Sequence, residues 1–126
     1  LWNRARPQMF STALPPSACA AAIAAIDIIE QEPERRQRLL ETCDTFRKKL
    51  ITAGLDVPEG GIGPIMPIIL NDPERAVAAA SELEEAGFLV AAIRPPTVPT
   101  GTSRLRITVT AGHGDETVDK LFHSLC

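Results

Sequence analysis

The sequence predicts an α+β fold in the order α-α-β-α-β-β-α, with a three-stranded mixed sheet covered by helices on one face. Three observations carry this. Leu39, Leu40, Cys43, Phe46, Leu50 and Ile51 recur at helical spacing through a charged segment. Two short apolar runs, residues 65–70 and 88–93, flank a segment with its own helix start and stop. Residues 104–110 then alternate strictly, with Leu105, Ile107 and Val109 on one side and Arg104, Arg106, Thr108 and Thr110 on the other.

Residues 1–14 read as an arriving segment, with Arg4, Arg6 and Pro7 ahead of Phe10, Ser11 and Thr12. Pro15 and Pro16 open the first helix, where a missing N–H costs nothing. Its body, residues 18–29, is Ala-rich and apolar nearly all round, which predicts burial on more than one side. Pro33 introduces a second helix over residues 34–53, closed by Gly54 as a left-handed cap. Arg35, Arg36, Arg38, Glu41, Arg47, Lys48 and Lys49 fall mostly off its apolar stripe and read as a solvated face. The loop over residues 55–64 has three glycines but not the spacing of a phosphate-binding loop.

The first strand follows, and Pro67 inside it demotes it to an edge. Asp72 is an N-cap with Pro73 at the first helical position, Ala76, Val77, Ala80 and Leu83 face inward, and Gly87 ends the helix. The second strand runs parallel to the first through a right-handed crossover. A loop stiffened by Pro95, Pro96 and Pro99 and turned at Gly101 leads into the third strand, which inserts antiparallel between the other two. A last helix over residues 115–125 places Val118, Leu121, Phe122 and Leu125 on one face.

At 126 residues the chain fits one domain with a real core. Its net charge of −3 argues against a nucleic-acid module, which carries a basic face. No apolar run is long enough to span a bilayer, and no signal peptide stands at the start. Cys19, Cys43 and Cys126 are odd in number and lack metal or redox spacing, so a reducing, cytoplasmic setting is expected and no metal. The first residue is Leu1 rather than Met, as in a piece of something longer.

No complete catalytic constellation is present. His113 and His123 lack metal-ligand spacing, no serine sits between nucleophile-elbow glycines, and Lys48, Lys49 and Lys120 fall on polar helix faces. What remains are candidates for holding an anion: Arg94, Thr97, Arg104 and Arg106, and separately Ser11 and Thr12. Guanidinium suits a carboxylate because its planar fork makes two parallel hydrogen bonds. An exposed strand face on a solvated edge is the plainer reading of the same pattern.

Two motifs bear on that choice. Phe10-Ser11-Thr12-Ala13-Leu14-Pro15-Pro16 ahead of an Ala-rich helix, and Ile93-Arg94-Pro95-Pro96-Thr97-Val98-Pro99 ahead of Gly101 and Arg104-Leu105-Arg106-Ile107-Thr108, closely resemble the α-oxoamine synthases. The resemblance covers essentially the whole chain. It implies the small C-terminal domain of a fold-type I pyridoxal-phosphate (PLP) enzyme, with residues 1–14 as the end of the central PLP-binding domain and 15–126 as the C-terminal domain. It implies a homodimer with active sites at the subunit interface.

The resemblance also implies roles. Arg106 matches the arginine that pairs with the amino-acid carboxylate, which leaves Arg104 as surface. Thr97 matches a threonine on the acyl-substrate side, and Ser11 and Thr12 match a segment reaching the cofactor phosphate of the neighbouring subunit. Arg94 stands where the biotin-pathway branch carries Arg before Pro-Pro, which implies L-alanine and a pimeloyl thioester (of CoA or acyl carrier protein) as substrates. The chain departs from the family in lacking the motif of the PLP lysine, the residue that stacks on the PLP ring and the Asp that holds its pyridine nitrogen. The isolated chain is therefore expected to be inactive. Another α-oxoamine synthase, or a non-catalytic carboxylate-binding or dimerisation domain, remains the alternative.

Overall fold

The computed structural model describes Arg4 and residues 13–58, 60–61 and 63–126. The chain divides into two units, one ending at Pro33 and one running Glu34–Cys126.

In the first unit, α1 spans Pro16–Gln31 with proline in its first turn. None of its residues is buried in this chain, contrary to the multi-sided burial its composition predicts. Ile23, Ile26, Ile28 and Ile29 are all exposed.

The second unit opens with α2, Pro33–Thr52, followed by β1 (Ile65–Asn71), α3 (Pro73–Glu85), β2 (Ala91–Ile93), β3 (Ser103–Thr108) and α4 (Asp115–Leu125). The expected order of elements holds. The sheet order is β1-β3-β2, with β3 central and the Pro67 strand at an edge. Both edge strands pair antiparallel with β3, so they run the same way without touching; the mixed sheet is antiparallel at every ladder. The αL residue Asn71 (φ 64°) lies where the β1–β3 register slips by one, between Ile69 and Asn71.

Alternation decides the two faces of the sheet. Met66, Ile68, Leu105 and Ile107 are almost fully buried, and with Cys43, Phe46 and Leu50 of α2, Leu83 of α3 and Val118 and Leu121 of α4 they form one core cluster. Each such aliphatic or aromatic side chain contributes about 1.5–3 kcal/mol when fully buried. The helices therefore cover one face. The other face carries Pro67, Ile69, Arg104, Arg106, Thr108, Ala91 and Ile93.

Local chemistry sets the ends. Asp72 Oδ1 accepts from Arg75 N at 2.8 Å, as an N-cap should. Gly87 takes φ 90° after α3, and Phe88 N donates back to Leu83 O at 2.7 Å. That bond ties Phe88 to the helix end, and the second strand starts only at Ala91. The third strand ends at Thr108; beyond it Val109 N donates to Pro64 O at 2.9 Å, and Thr110 N turns to His113 Nδ1 at 3.2 Å.

The stripe on α2 is narrower than its pattern. Cys43, Phe46 and Leu50 are buried, but Leu40 and Ile51 are exposed. Arg47, placed with the solvated face by the pattern, is buried instead at 9% exposure.

Candidate functional site

The open face of the sheet is built in cross-strand rows. Ile69, Arg104 and Ile93 form one row, and Pro67, Arg106 and Ala91 the next. Arg104 and Arg106 are two residues apart on a central strand, so both project to this side with apolar neighbours flanking them. Arg104 is half-buried and spends its Nε on Thr102 O at 2.9 Å. Arg106 is exposed, and among the described residues nothing hydrogen-bonds or ion-pairs with it. Of the two strand arginines, Arg106 is therefore the one whose fork is free among the described residues.

Arg94 follows β2 directly, and the loop over residues 94–102 returns the chain to β3. Because Ile93 pairs with Arg104, Arg94 leaves the sheet beside the start of β3. The loop holds itself: Thr97 N donates to Arg94 O at 3.1 Å, and Thr102 donates through both its N and its Oγ1 to Pro99 O, at 3.2 and 2.7 Å. Thr97 and Arg94 are exposed on it. The topology thus brings Arg94 and Thr97 to the end of the sheet where β3 begins. Ser11 and Thr12 lie outside the described residues.

On its own this face is a weak receptor. A water-exposed ion pair contributes only about 0–1 kcal/mol. Arg106 gains more once other protein covers the face and removes water.

The lysines offer no cofactor amine. Lys48, Lys49 and Lys120 pair with Asp44, Asp119 and Glu116 at 2.6, 2.6 and 2.8 Å, all at the surface. A Schiff-base lysine must present a neutral, desolvated amine. Each of these lysines is instead a solvated, ion-paired cation. A groove of about 330 Å³ between α2 and α4 contains none of the predicted residues, and its Lys49–Asp119 and Arg38–Asp115 pairs are already made. The Lys49 hydrogen bond and charge hold the Asp119 carboxyl below its ordinary range.

Arg47 is the residue the sequence pattern misses. Its Nη1 and Nη2 are buried beneath Gly61 and have no hydrogen-bond partner among the described residues. A Cβ at Gly61 would lie 2.9 Å from Nη1, so a side chain there would require the guanidinium, the far end of a flexible side chain, to shift. Cys43, one turn away, has its thiol pushed up by burial and pulled part of the way back by the Arg47 charge. The signal was the glycine pair, Gly60 and Gly61, which made room for a side chain that the helical pattern alone turns outward.

Residues 1–125 match the model of aminotransferase class I and II. The chain belongs to the aminotransferase class I and II family. Within this family it is 50% identical to the 8-amino-7-oxononanoate synthase of Anaeromyxobacter dehalogenans, over 99% of this chain and 31% of that protein. It is 49% identical to the enzyme of the same name from Maricaulis maris, over 99% of this chain and 30% of that one. The chain superposes on serine palmitoyltransferase of Sphingomonas wittichii with a TM-score of 0.86 at 31% identity, covering 98% of this chain and 31% of that one. The serine palmitoyltransferase of S. paucimobilis, solved with PLP bound, gives 0.84 at 29% identity, over 95% and 30%. The 8-amino-7-oxononanoate synthase of Francisella tularensis shares the fold, with a TM-score of 0.77 over 98% of this chain and 36% of its own. The resemblance read from the two motifs is borne out. The chain spans about a third of the length of the relatives it matches.

Proposed function

We propose that this chain is the C-terminal part of a PLP-dependent α-oxoamine synthase of biotin biosynthesis. The complete enzyme joins the α-carbon of L-alanine to the carbonyl of a pimeloyl thioester. The thiol of CoA or acyl carrier protein departs, the alanine carboxylate leaves as CO₂, and 8-amino-7-oxononanoate remains. The observation that carries this reading is the free Arg106 fork on a central strand, in a chain 50% identical to a named 8-amino-7-oxononanoate synthase.

Arg106 pairs with the alanine carboxylate through two N–H bonds and so fixes which bond at the α-carbon is activated. Thr97 meets the acyl substrate, with Arg94 beside it. PLP, when bound, supplies the electron sink for the carbanion at that carbon. Its lysine lies elsewhere in the protein, and Ser11 and Thr12 reach its phosphate from the neighbouring subunit of a homodimer. Residues 1–14 end the PLP-binding domain, 15–126 form the C-terminal domain, and the enzyme works in the cytoplasm. Alone, the chain is inactive.

Borohydride trapping of PLP on the purified chain, read by intact mass, tests the last point. No stable adduct is expected, and a stoichiometric adduct on Lys48, Lys49 or Lys120 overturns it. The similarity to serine palmitoyltransferases favours a second reading, a sibling enzyme with another amino donor. Joining the chain to the upstream segment of the Anaeromyxobacter relative and comparing alanine, glycine and serine separates the two.

A further inference from the structure

Helix α1 has the composition of a buried helix and none of the burial. Its sixteen residues include only two charges, Asp27 and Glu30, and four exposed isoleucines. Ile23 is 62% exposed, Ile26 55%, Ile28 44% and Ile29 59%. A helix turns roughly 100° per residue, so Ile26, Ile28 and Ile29 stand about a sixth, two-fifths and a third of a turn away from Ile23. Asp27 and Glu30 both fall close beside Ile23, one on each side of it. Going round the helix the long way from one acid to the other, the arc is about 300° wide. It holds Ile26, Ile28, Ile29, Cys19 and alanines, with the polar Ser17 and Gln31 near the two helix ends and no charge. A surface helix needs an apolar stripe only about 100° wide, and a helix apolar over most of its circumference belongs inside a larger protein.

A second copy of this chain, laid along α1, would cover one side and leave most of that arc wet. The relatives carry about two-thirds of their length outside the region matched here, since the match spans 31% of the Anaeromyxobacter protein. We infer that α1 is a docking helix for that missing polypeptide, which closes on it from more than one side with apolar surface. The alanines let neighbouring backbones approach closely, and the isoleucines supply the contact area. This rests on the reading that the chain works as part of a longer synthase.

Thiol labelling around the helix tests it. Cys19 is exposed in the free chain and lies beside Glu30 on the helical wheel, at one margin of the uncharged arc. Ala21→Cys and Ala24→Cys, each in a Cys19→Ser background, place one probe nearly opposite Ile23 and one about a quarter-turn from it. Cys126→Ser throughout removes the other exposed thiol. Maleimide labelling is compared between the free chain at two concentrations and the same chain fused behind the upstream segment of the Anaeromyxobacter enzyme.

All three probes should react in the free chain and slow by roughly tenfold or more in the fusion. Protection at one probe only, or at none, in a fusion that binds PLP overturns the inference. So does protection of the free chain that rises with its concentration, which points to a second copy. If the fusion does not bind PLP, adding the upstream segment as a separate polypeptide decides the question on the same labelling pattern. A protected helix in a fusion that makes no product from alanine would sink the catalytic reading and leave the docking intact.

Discussion

Arg106 and Arg47 show how differently one side chain behaves in two settings. Arg106 stands exposed on a central strand, with no partner for its fork among the described residues. In the completed enzyme, Arg106→Ala should weaken alanine binding roughly 10- to 100-fold, the loss of charge-assisted hydrogen bonds of about 1.5–3 kcal/mol. Arg106→Lys should recover part of it, because a point charge cannot reproduce the fork. An unchanged affinity for alanine in a spectroscopic titration removes Arg106 from the site. Arg47 is the opposite case, a buried cation whose terminal nitrogens find no partner among the described residues. With no acceptor for those nitrogens among the described residues, Arg47→Met should raise the stability of the chain by about 1–3 kcal/mol in urea unfolding. Gly61→Ala, whose Cβ would meet Nη1 at 2.9 Å, should displace the guanidinium at small cost, and the two substitutions should couple in a double-mutant cycle because Arg47→Met removes that contact. A loss of stability in Arg47→Met would show that the guanidinium finds an acceptor after all. Alternation along residues 104–110 made the direction of Arg106 legible. Nothing in a helical pattern says that a glycine loop will fold over one of its polar positions.

At the scale of elements, the ends are set by groups that can be tested singly. Asp72→Ala removes the acceptor for Arg75 N and should cost about 1 kcal/mol. Lys49 of α2 joins Asp119 of α4 at 2.6 Å and holds that carboxyl low. A carboxyl lowered in the fold contributes stability above its unfolded pKa, and that contribution is lost as pH falls through the folded value. Lys49→Met should therefore return the Asp119 titration upward, towards the ordinary carboxylate range, in an NMR pH series. An unmoved Asp119 would mean that the contact is not kept in solution. The caps were readable because Asp72-Pro73 and Gly87 state their conformations in the residues themselves. The length of β2 was not, because it depends on Phe88 N bonding back to α3 rather than on the apolar run. Sheet order followed from the crossover rule and the edge proline, which are constraints of connectivity.

Across the molecule, the two units differ in what they need from other protein. Every residue of the core cluster, from Cys43 to Leu121, lies in Glu34–Cys126. That unit has helices on one sheet face and a contiguous buried core, well above the ~40 residues below which a domain needs staples. The apolar pattern of α1 predicted burial on more than one side, and no residue of the helix is buried in the structure, because a periodicity reports how apolar a helix is and not which polypeptide covers it. Removing residues 1–32, while keeping Pro33 as the opening residue of α2, should therefore leave the urea midpoint and its slope unchanged. It should also reduce self-association, since the exposed isoleucines of α1 leave with the deleted segment. A lowered midpoint would mean that α1 stabilises the second unit within this chain. In that case its isoleucines would be contributing to the fold of this chain.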